Sequence, residues 1–163
     1  MQENIYDISW TNFNNILDKL YSKICKDGKP DHIVGIMRGG LIPATILANK
    51  FKIKVLDVIS ITRTLSDKAY STKNAPMVNW CSPLNDLEGK DVLIVDDAIG
   101  YGETYFTSIE IVSKYNPAKI RWLSCILNRP MWNDKNSTNP NQLINYIGLE
   151  LIDWAKFPWD NLE

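Results

Sequence analysis

Apolar residues first recur at helical spacing near the N-terminal end. Trp10, Phe13, Ile16, Leu17, Leu20 and Ile24 fall on one face of a helix that Ser9 caps and Gly28 ends. The pattern then changes to short, nearly continuous apolar runs. "HIVGIM" (32–37), "KVLDVISIT" (54–62), "DVLIVDD" (91–97) and "KIRWLSCILN" (119–128) each predict a strand. Between them, "RGGLIPATILANKF" predicts a tight turn into a helix with Pro43 in its first turn, and residues 104–115 predict another helix after a turn at 98–103. Residues 63–80 and 129–143 are polar and without periodicity, and "NYIGLEL" and "DWAKFPWDNLE" follow.

Strands alternating with helices imply βαβ units, right-handed crossovers and an α/β fold, a parallel twisted sheet flanked by helices. Continuous runs such as "VLIV" fit a sheet covered on both faces. Such sheets bind ligands beyond the carboxyl ends of their strands, where the loops 37–40, 97–104 and the one after Asn128 fall.

Bulk properties narrow the classes. At 163 residues the chain suits one domain, with 45% hydrophobic and 23% charged residues. A net charge of −1 and a pI near 5.9 offer no general nucleic-acid or membrane-surface binder. No apolar run reaches membrane-spanning length, and "MQENIYD" is too polar for a signal peptide. Cys25, Cys81 and Cys125 are odd in number and far apart, which points to free thiols in a reducing cytoplasm rather than disulfides or zinc. The single histidine, His32, excludes a multi-histidine metal site and reads as structural.

The chemistry concentrates in "VLIVDDAIGYGET" (92–104), where two adjacent carboxylates end a buried strand and a glycine turn opens a helix. Gly100 and Gly102 permit close approach, and the N–H groups of that turn can form an anion nest at a helix N-terminus. No G-K-[ST] follows, and Tyr105 stands where a dinucleotide fingerprint needs its third glycine. Paired acids suit a sugar diol and Mg²⁺. "MRGGLIPA" (37–44) places Arg38 and bare backbone before a helix, suited to a second anion or to an ordinary strand-to-helix turn. In "DWAKFPWD" (153–160) the tryptophans either plug the core or present Trp154 to a planar base.

Together these pieces resemble a type I phosphoribosyltransferase, specifically the small purine (xanthine–guanine or hypoxanthine) branch. "VLIVDDAIGYGET" is similar to the family's signature for phosphoribosyl diphosphate (PRPP), "GIMRGGLIPA" to its pyrophosphate loop, and "WAKFPWD" to its closing W-x-x-x-P-W-[DE] element. The likeness spans about residues 30 to 160, in family order. It implies one phosphoribosyltransferase-like domain over 1–163, with 129–163 as a small C-terminal hood over the base. It implies that Asp96 and Asp97 hold the ribose hydroxyls as catalytic residues, with Asp97 also at Mg²⁺. Gly100, Tyr101, Gly102, Glu103 and Thr104 would hold the 5′-phosphate, and Arg38 and Gly39 would meet the diphosphate. Arg129 would contact a purine 6-oxo group and Trp154 would stack on the base. Residues 63–80 would be a mobile flap, with Arg63, Lys68 and Lys73 as candidates to touch the diphosphate. A homodimer or homotetramer is implied as well.

The chain departs from the branch inside its own signature. Gly100 replaces the aspartate usually credited with the purine N7 proton, Tyr101 replaces a threonine, and Glu103 adds a negative charge. The sequence therefore leaves three readings: an Mg²⁺-dependent transferase for guanine, xanthine or hypoxanthine, a non-catalytic relative that binds PRPP or a nucleotide, or a transferase for another nucleobase.

Overall fold

A computed structural model describes residues 4–63 and 74–160. Ser9 caps α1 (Trp10–Asp27) by accepting from the Asn12 N–H at 3.1 Å, and Gly28 ends it at φ +101°, as the pattern predicts. The remaining helices are α2 (Leu41–Phe51), α3 (Glu103–Ser113) and α4 (Arg129–Lys135). The strands are β1 (Ile5–Asp7), β2 (His32–Met37), β3 (Leu56–Thr62), β4 (Met77–Cys81), β5 (Asp91–Ile99), β6 (Lys119–Asn128), β7 (Tyr146–Leu151) and β8 (Trp154–Lys156).

Six strands form one sheet in the order β4-β3-β2-β5-β6-β7, parallel except for β4, which runs antiparallel to β3. The expected parallel α/β sheet is present, and it carries elements that the sequence pattern missed. β4 lies within and just beyond the stretch read as an aperiodic loop. It is an edge strand whose Met77, Val78 and Trp80 are all exposed, so no inside–outside alternation exists to be read. Lys68 and Lys73 lie outside the described residues. α4 falls in the other polar stretch, and only Trp132 on it is buried, too short an apolar face to show a period. β1 and β8 pair in parallel as a separate two-stranded ribbon that ties the two ends of the chain together.

Two apolar clusters cover the sheet. α1 and α2 pack on one face, around Phe13, Leu17, Leu47, Leu93 and Val95. Tyr105 and Val112 of α3 and Trp132 of α4 pack on the other, with Val92, Ile94 and Trp122. Successive residues of β5 thus alternate between the clusters, as a strand buried on both faces must. The chain leaves β2 toward β3 and leaves β5 toward β6, in opposite directions across the sheet. With crossovers of one hand, α2 and α3 must take opposite faces. Their approach loops diverge between β2 and β5 and open a crevice there.

The opposite end of the sheet is closed by a polar network. Arg121, only 1% exposed, donates Nε and Nη2 to the Asp91 carboxylate at 2.8 Å each, and Nη1 to the Gly28 carbonyl and the Tyr146 hydroxyl at 3.0 Å each. Tyr146 in turn donates to Asp27 at 2.8 Å. His32 is buried and sits 2.7 Å from Asp57, in keeping with its structural reading. Arg121→Met would orphan these acceptors. We expect it to destabilise the fold by about 2–3 kcal/mol in urea unfolding, less than for a fully buried pair because Asp91 keeps partial solvent contact. A change within experimental error would show the network to be dispensable.

Candidate active site

β5 carries the two aspartates into the crevice. Its register with β6 runs without a break from Asp91–Lys119 to Asp96–Ser124 and resumes at Ala98–Ile126. Val95 packs in one apolar cluster and Ile99 in the other, although residues four apart on a regular strand share a face. Leu123 and Leu127 of β6 change face in the same way. This local irregularity lets consecutive carboxylates, Asp96 and Asp97, line one cavity instead of pointing to opposite faces. The Asp97 N–H donates to Asp96 Oδ1 at 3.0 Å, and the Ala98 N–H donates to Asp97 Oδ1 at 2.7 Å. Burial raises the Asp97 carboxyl above the ordinary aspartate range, and the charge of Asp160 adds to that. The contacts with Asp96 and the Ala98 N–H act in the opposite direction. Behind them Cys125 is fully buried, and its thiol is pushed well up by burial and by the two acids.

The turn after β2 fits against this pair. The Met37–Arg38 peptide is cis, and Gly39 lies so close to Asp97 that a Cβ there would stand 1.7 Å from Oδ2. At Gly40 a Cβ would meet backbone, the Ile36 carbonyl at 2.6 Å and the Val95 carbonyl at 2.7 Å. The Gly-Gly pair is therefore what brings this loop down onto β5.

The turn after β5 is held from outside by α4. Gly102 has φ +86°, a conformation glycine adopts without a steric cost, and it opens α3. Asn128 caps α4 by accepting from the Met131 N–H at 3.1 Å. At the other end of that helix Asn136 Nδ2 donates to the Tyr101 carbonyl at 2.9 Å and to the Trp132 carbonyl at 3.1 Å. The Lys135 ammonium lies 5.9 Å from the Tyr101 ring centroid. Asn136, Trp132 and Met131 thus shape the turn, and nothing in the polar stretch 129–143 signalled it.

Arg38, Gly39, Asp96, Asp97, Gly100, Tyr101, Gly102 and Thr104 all line one cavity of about 190 Å³, and Arg63 lines it too. Glu103 sits in the first turn of α3 and forms an ion pair with Arg63. Arg129 and Trp154 are not among the lining residues. Arg129 makes a two-pronged pair with Glu150, Nε to Oε2 at 2.9 Å and Nη2 to Oε1 at 2.5 Å. Trp154 is half-buried on β8, opposite Ile5, with its N–H donating to the Asn4 carbonyl at 3.2 Å. Of the two tail tryptophans, the half-buried Trp159 is the one packed against the core: its ring stacks on Phe157 at 4.7 Å and meets Phe13 edge-on at 5.0 Å. Asp160, the acid that closes "WAKFPWD", is the one whose charge reaches Asp97. Among the described residues no helix is long and apolar enough to cross a membrane.

The chain is similar to known phosphoribosyltransferases. The chain is 29% identical over 164 residues to a xanthine-guanine phosphoribosyltransferase of Roseobacter denitrificans, covering 95% of this chain and 85% of that protein. It is 30% identical over 139 residues to the xanthine-guanine phosphoribosyltransferase of a Ruegeria species, covering 82% and 70%. The crystal structure of a purine phosphoribosyltransferase from Pyrococcus horikoshii superposes with a TM-score of 0.77 at 27% identity, over 98% of this chain and 95% of that one. The model of the phosphoribosyl transferase domain matches residues 1–161. With the fold, the paired aspartates and the glycine turns in one crevice, the chain belongs to the phosphoribosyltransferase family.

Proposed function

We propose that the protein transfers the 5-phosphoribosyl group of PRPP to a 6-oxopurine (guanine, xanthine or hypoxanthine), releases diphosphate, and so serves purine salvage in the cytoplasm. One observation carries the reading. Two carboxylates, a glycine turn at a helix N-terminus and the Arg38–Gly39 loop line the same small cavity, with acceptors for a ribose diol beside donors for its phosphates. The names of the relatives support the choice of base.

Each group then has a task. Asp96 and Asp97 accept hydrogen bonds from the ribose hydroxyls. The N–H groups of residues 100–104, helped by the dipole of α3, hold the 5′-phosphate. Arg38 and the backbone at Gly39 hold the diphosphate. Diphosphate leaves the anomeric carbon as a purine nitrogen arrives, and holding the two in line supplies much of the acceleration. Arg129 has spare N–H donors beyond the two that Glu150 takes, and these are available to a 6-oxo group. Trp154 would stack on the base.

The donor set suits Mg²⁺. Among the described residues no group of three or more histidine, cysteine or acidic side chains is placed to hold a metal, so a preformed cage is not what this crevice offers. Mg²⁺ takes one or two carboxylates and completes its shell with substrate oxygens and water. Asp97, with Asp96 beside it, would hold the ion, which when bound neutralises charge on the leaving diphosphate.

Turnover of PRPP and Mg²⁺ with guanine, xanthine, hypoxanthine, adenine, uracil and orotate, followed by chromatography of the nucleotide product, tests the reading. A nucleotide from an oxopurine is the expected result. A pyrimidine product would move the assignment to another base. Tight PRPP binding without product from any base would make the protein a ligand-binding relative.

Gly100 leads to a second test. A Cβ there would come within 2.9 Å of Met131 Cε, the movable end of a flexible side chain. Gly100→Asp combined with Met131→Ala therefore has room for the carboxylate that the purine branch usually carries. General acid–base help is worth about 10²–10⁴-fold. We expect kcat on the preferred oxopurine to rise roughly tenfold, the low end of that range being halved on a logarithmic scale because the new carboxylate is not held in place by evolved partners. An unchanged kcat with PRPP binding intact would mean that the N7 proton is handled elsewhere.

A further inference from the structure

Glu103 is the odd charge beside the crevice: it does not line the cavity itself but pairs with Arg63, which does. It lies in the first turn of α3, where the proposed reading puts a phosphate, and a carboxylate there opposes an incoming dianion. Its partner Arg63 follows directly on β3 and lines the same cavity as Gly102 and Asp97. The Arg63 side chain keeps 11% of its surface, whereas Glu103 keeps 37%. The guanidinium is fixed from its other side as well. Its Nε donates to the Asn74 carbonyl at 3.0 Å, while the Asn74 N–H donates back to the Arg63 carbonyl at 2.7 Å. The cation is thus held at the cavity wall from two sides, whereas among the described residues the Glu103 carboxylate has no partner other than Arg63, against which its Oε2 is buried.

We infer that Glu103 is an affinity-setting residue that acts as an internal competitor for phosphate. It occupies the Arg63 guanidinium when the crevice is empty and yields it to a phosphoryl group of the ligand. The inference rests on the proposed function and deepens it. Weak anions fail to displace Glu103, because a singly contacting oxyanion replaces one charged partner by another. A phosphoribosyl ligand gains contacts at Asp96 and Asp97 at the same time and takes the cation.

The test is a double-mutant cycle in the intact protein with Mg²⁺, reading the Kd of PRPP, ribose 5-phosphate and inorganic phosphate by calorimetry. Glu103→Gln should tighten all three by about tenfold, because a like charge is removed at short range. Arg63→Met should weaken them by at least as much, and the double variant should fall between. Opposite signs are the signature, since an ion pair that only supports the fold would make both single variants weaker. Weaker or unchanged binding by Glu103→Gln, in a sample whose thermal midpoint matches the parent, overturns the inference. The transferase assay is read separately. Opposite-signed effects without nucleotide product would leave the competitor role standing and remove the transferase reading. Same-signed weakening with turnover intact would remove the competitor role alone. If neither the parent nor Glu103→Gln binds any of the three probes, both fall.

Discussion

Gly39→Ala is expected to leave the protein folded and to reduce kcat/KM for PRPP by about 10²–10³-fold. The added methyl would stand 1.7 Å from Asp97 Oδ2 and 2.5 Å from its Cγ, so the carboxylate must leave its position. A displacement of that size moves a group proposed to meet the ribose and its metal, and errors of about 1 Å in a site cost about 10²-fold. Gly39 is not among the positive-φ residues, so alanine can adopt its backbone conformation. That is why the effect should appear in activity rather than in the thermal midpoint. Gly40→Ala supplies the contrast: its methyl would meet the Ile36 and Val95 carbonyls, which cannot swing aside, and loss of stability is expected first. Steady-state kinetics beside thermal melts separate the two. A Gly39→Ala enzyme with parental kcat/KM would mean that the Asp97 carboxylate is free to work from another position.

Asp97→Asn is expected to cost about 10³-fold in kcat/KM, to abolish the dependence of PRPP binding on Mg²⁺, and to raise the thermal midpoint at neutral pH. The last effect follows from the sign of the shift. Burial raises the Asp97 carboxyl in the folded protein above its unfolded value, so ionising it opposes folding. That cost is present at pH above the raised folded value and is relieved as pH falls below the unfolded one. Removing the charge removes the cost, while the Asn oxygen can still accept from the Ala98 N–H. In the proposed site ligand binding runs the other way with pH, because a metal and the ribose hydroxyls would need the ionised form. In the parent, Mg²⁺-dependent PRPP affinity should therefore decline on acidification at a pH above the ordinary aspartate range. That inflection should vanish in the variant. Parental, Mg²⁺-dependent PRPP binding by Asp97→Asn would remove Asp97 from the metal and ribose site.

Much of the site was legible because its chemistry is local. "VLIVDDAIGYGET" writes a strand, two acids and a glycine turn within thirteen residues, and "MRGGLIPA" writes the facing loop within eight. The residues between and around these motifs were not legible. Arg63 could be named only as one of three cations, since a side chain anchored by Asn74 and Glu103 has no signature in its own neighbourhood. Asn136 and Met131 come to the site from a segment that carries no period and no motif, and Asp160 closes "WAKFPWD" without that motif marking it as a charge on Asp97. Glu150, which holds Arg129, is the single acid of the short strand β7 and carries no signature of that partner.

The sequence by itself determined the alternation of strands and helices, the parallel sheet with both faces covered, and the ends of the strands at which the candidate site residues gather. Those properties depend on periodicity, caps and turn residues, which act over a few positions and so survive in the order of the letters. The edge strand β4, the ribbon joining β1 to β8, and the short helix α4 were decided only in three dimensions. Each is stabilised by partners far along the chain and buries too little of itself to show a pattern. The same holds for the pairing of Glu103 with Arg63 and for the closeness of Gly39 to Asp97. These contacts join loops from different strands, and their distances are set by how β2, β3 and β5 pack side by side.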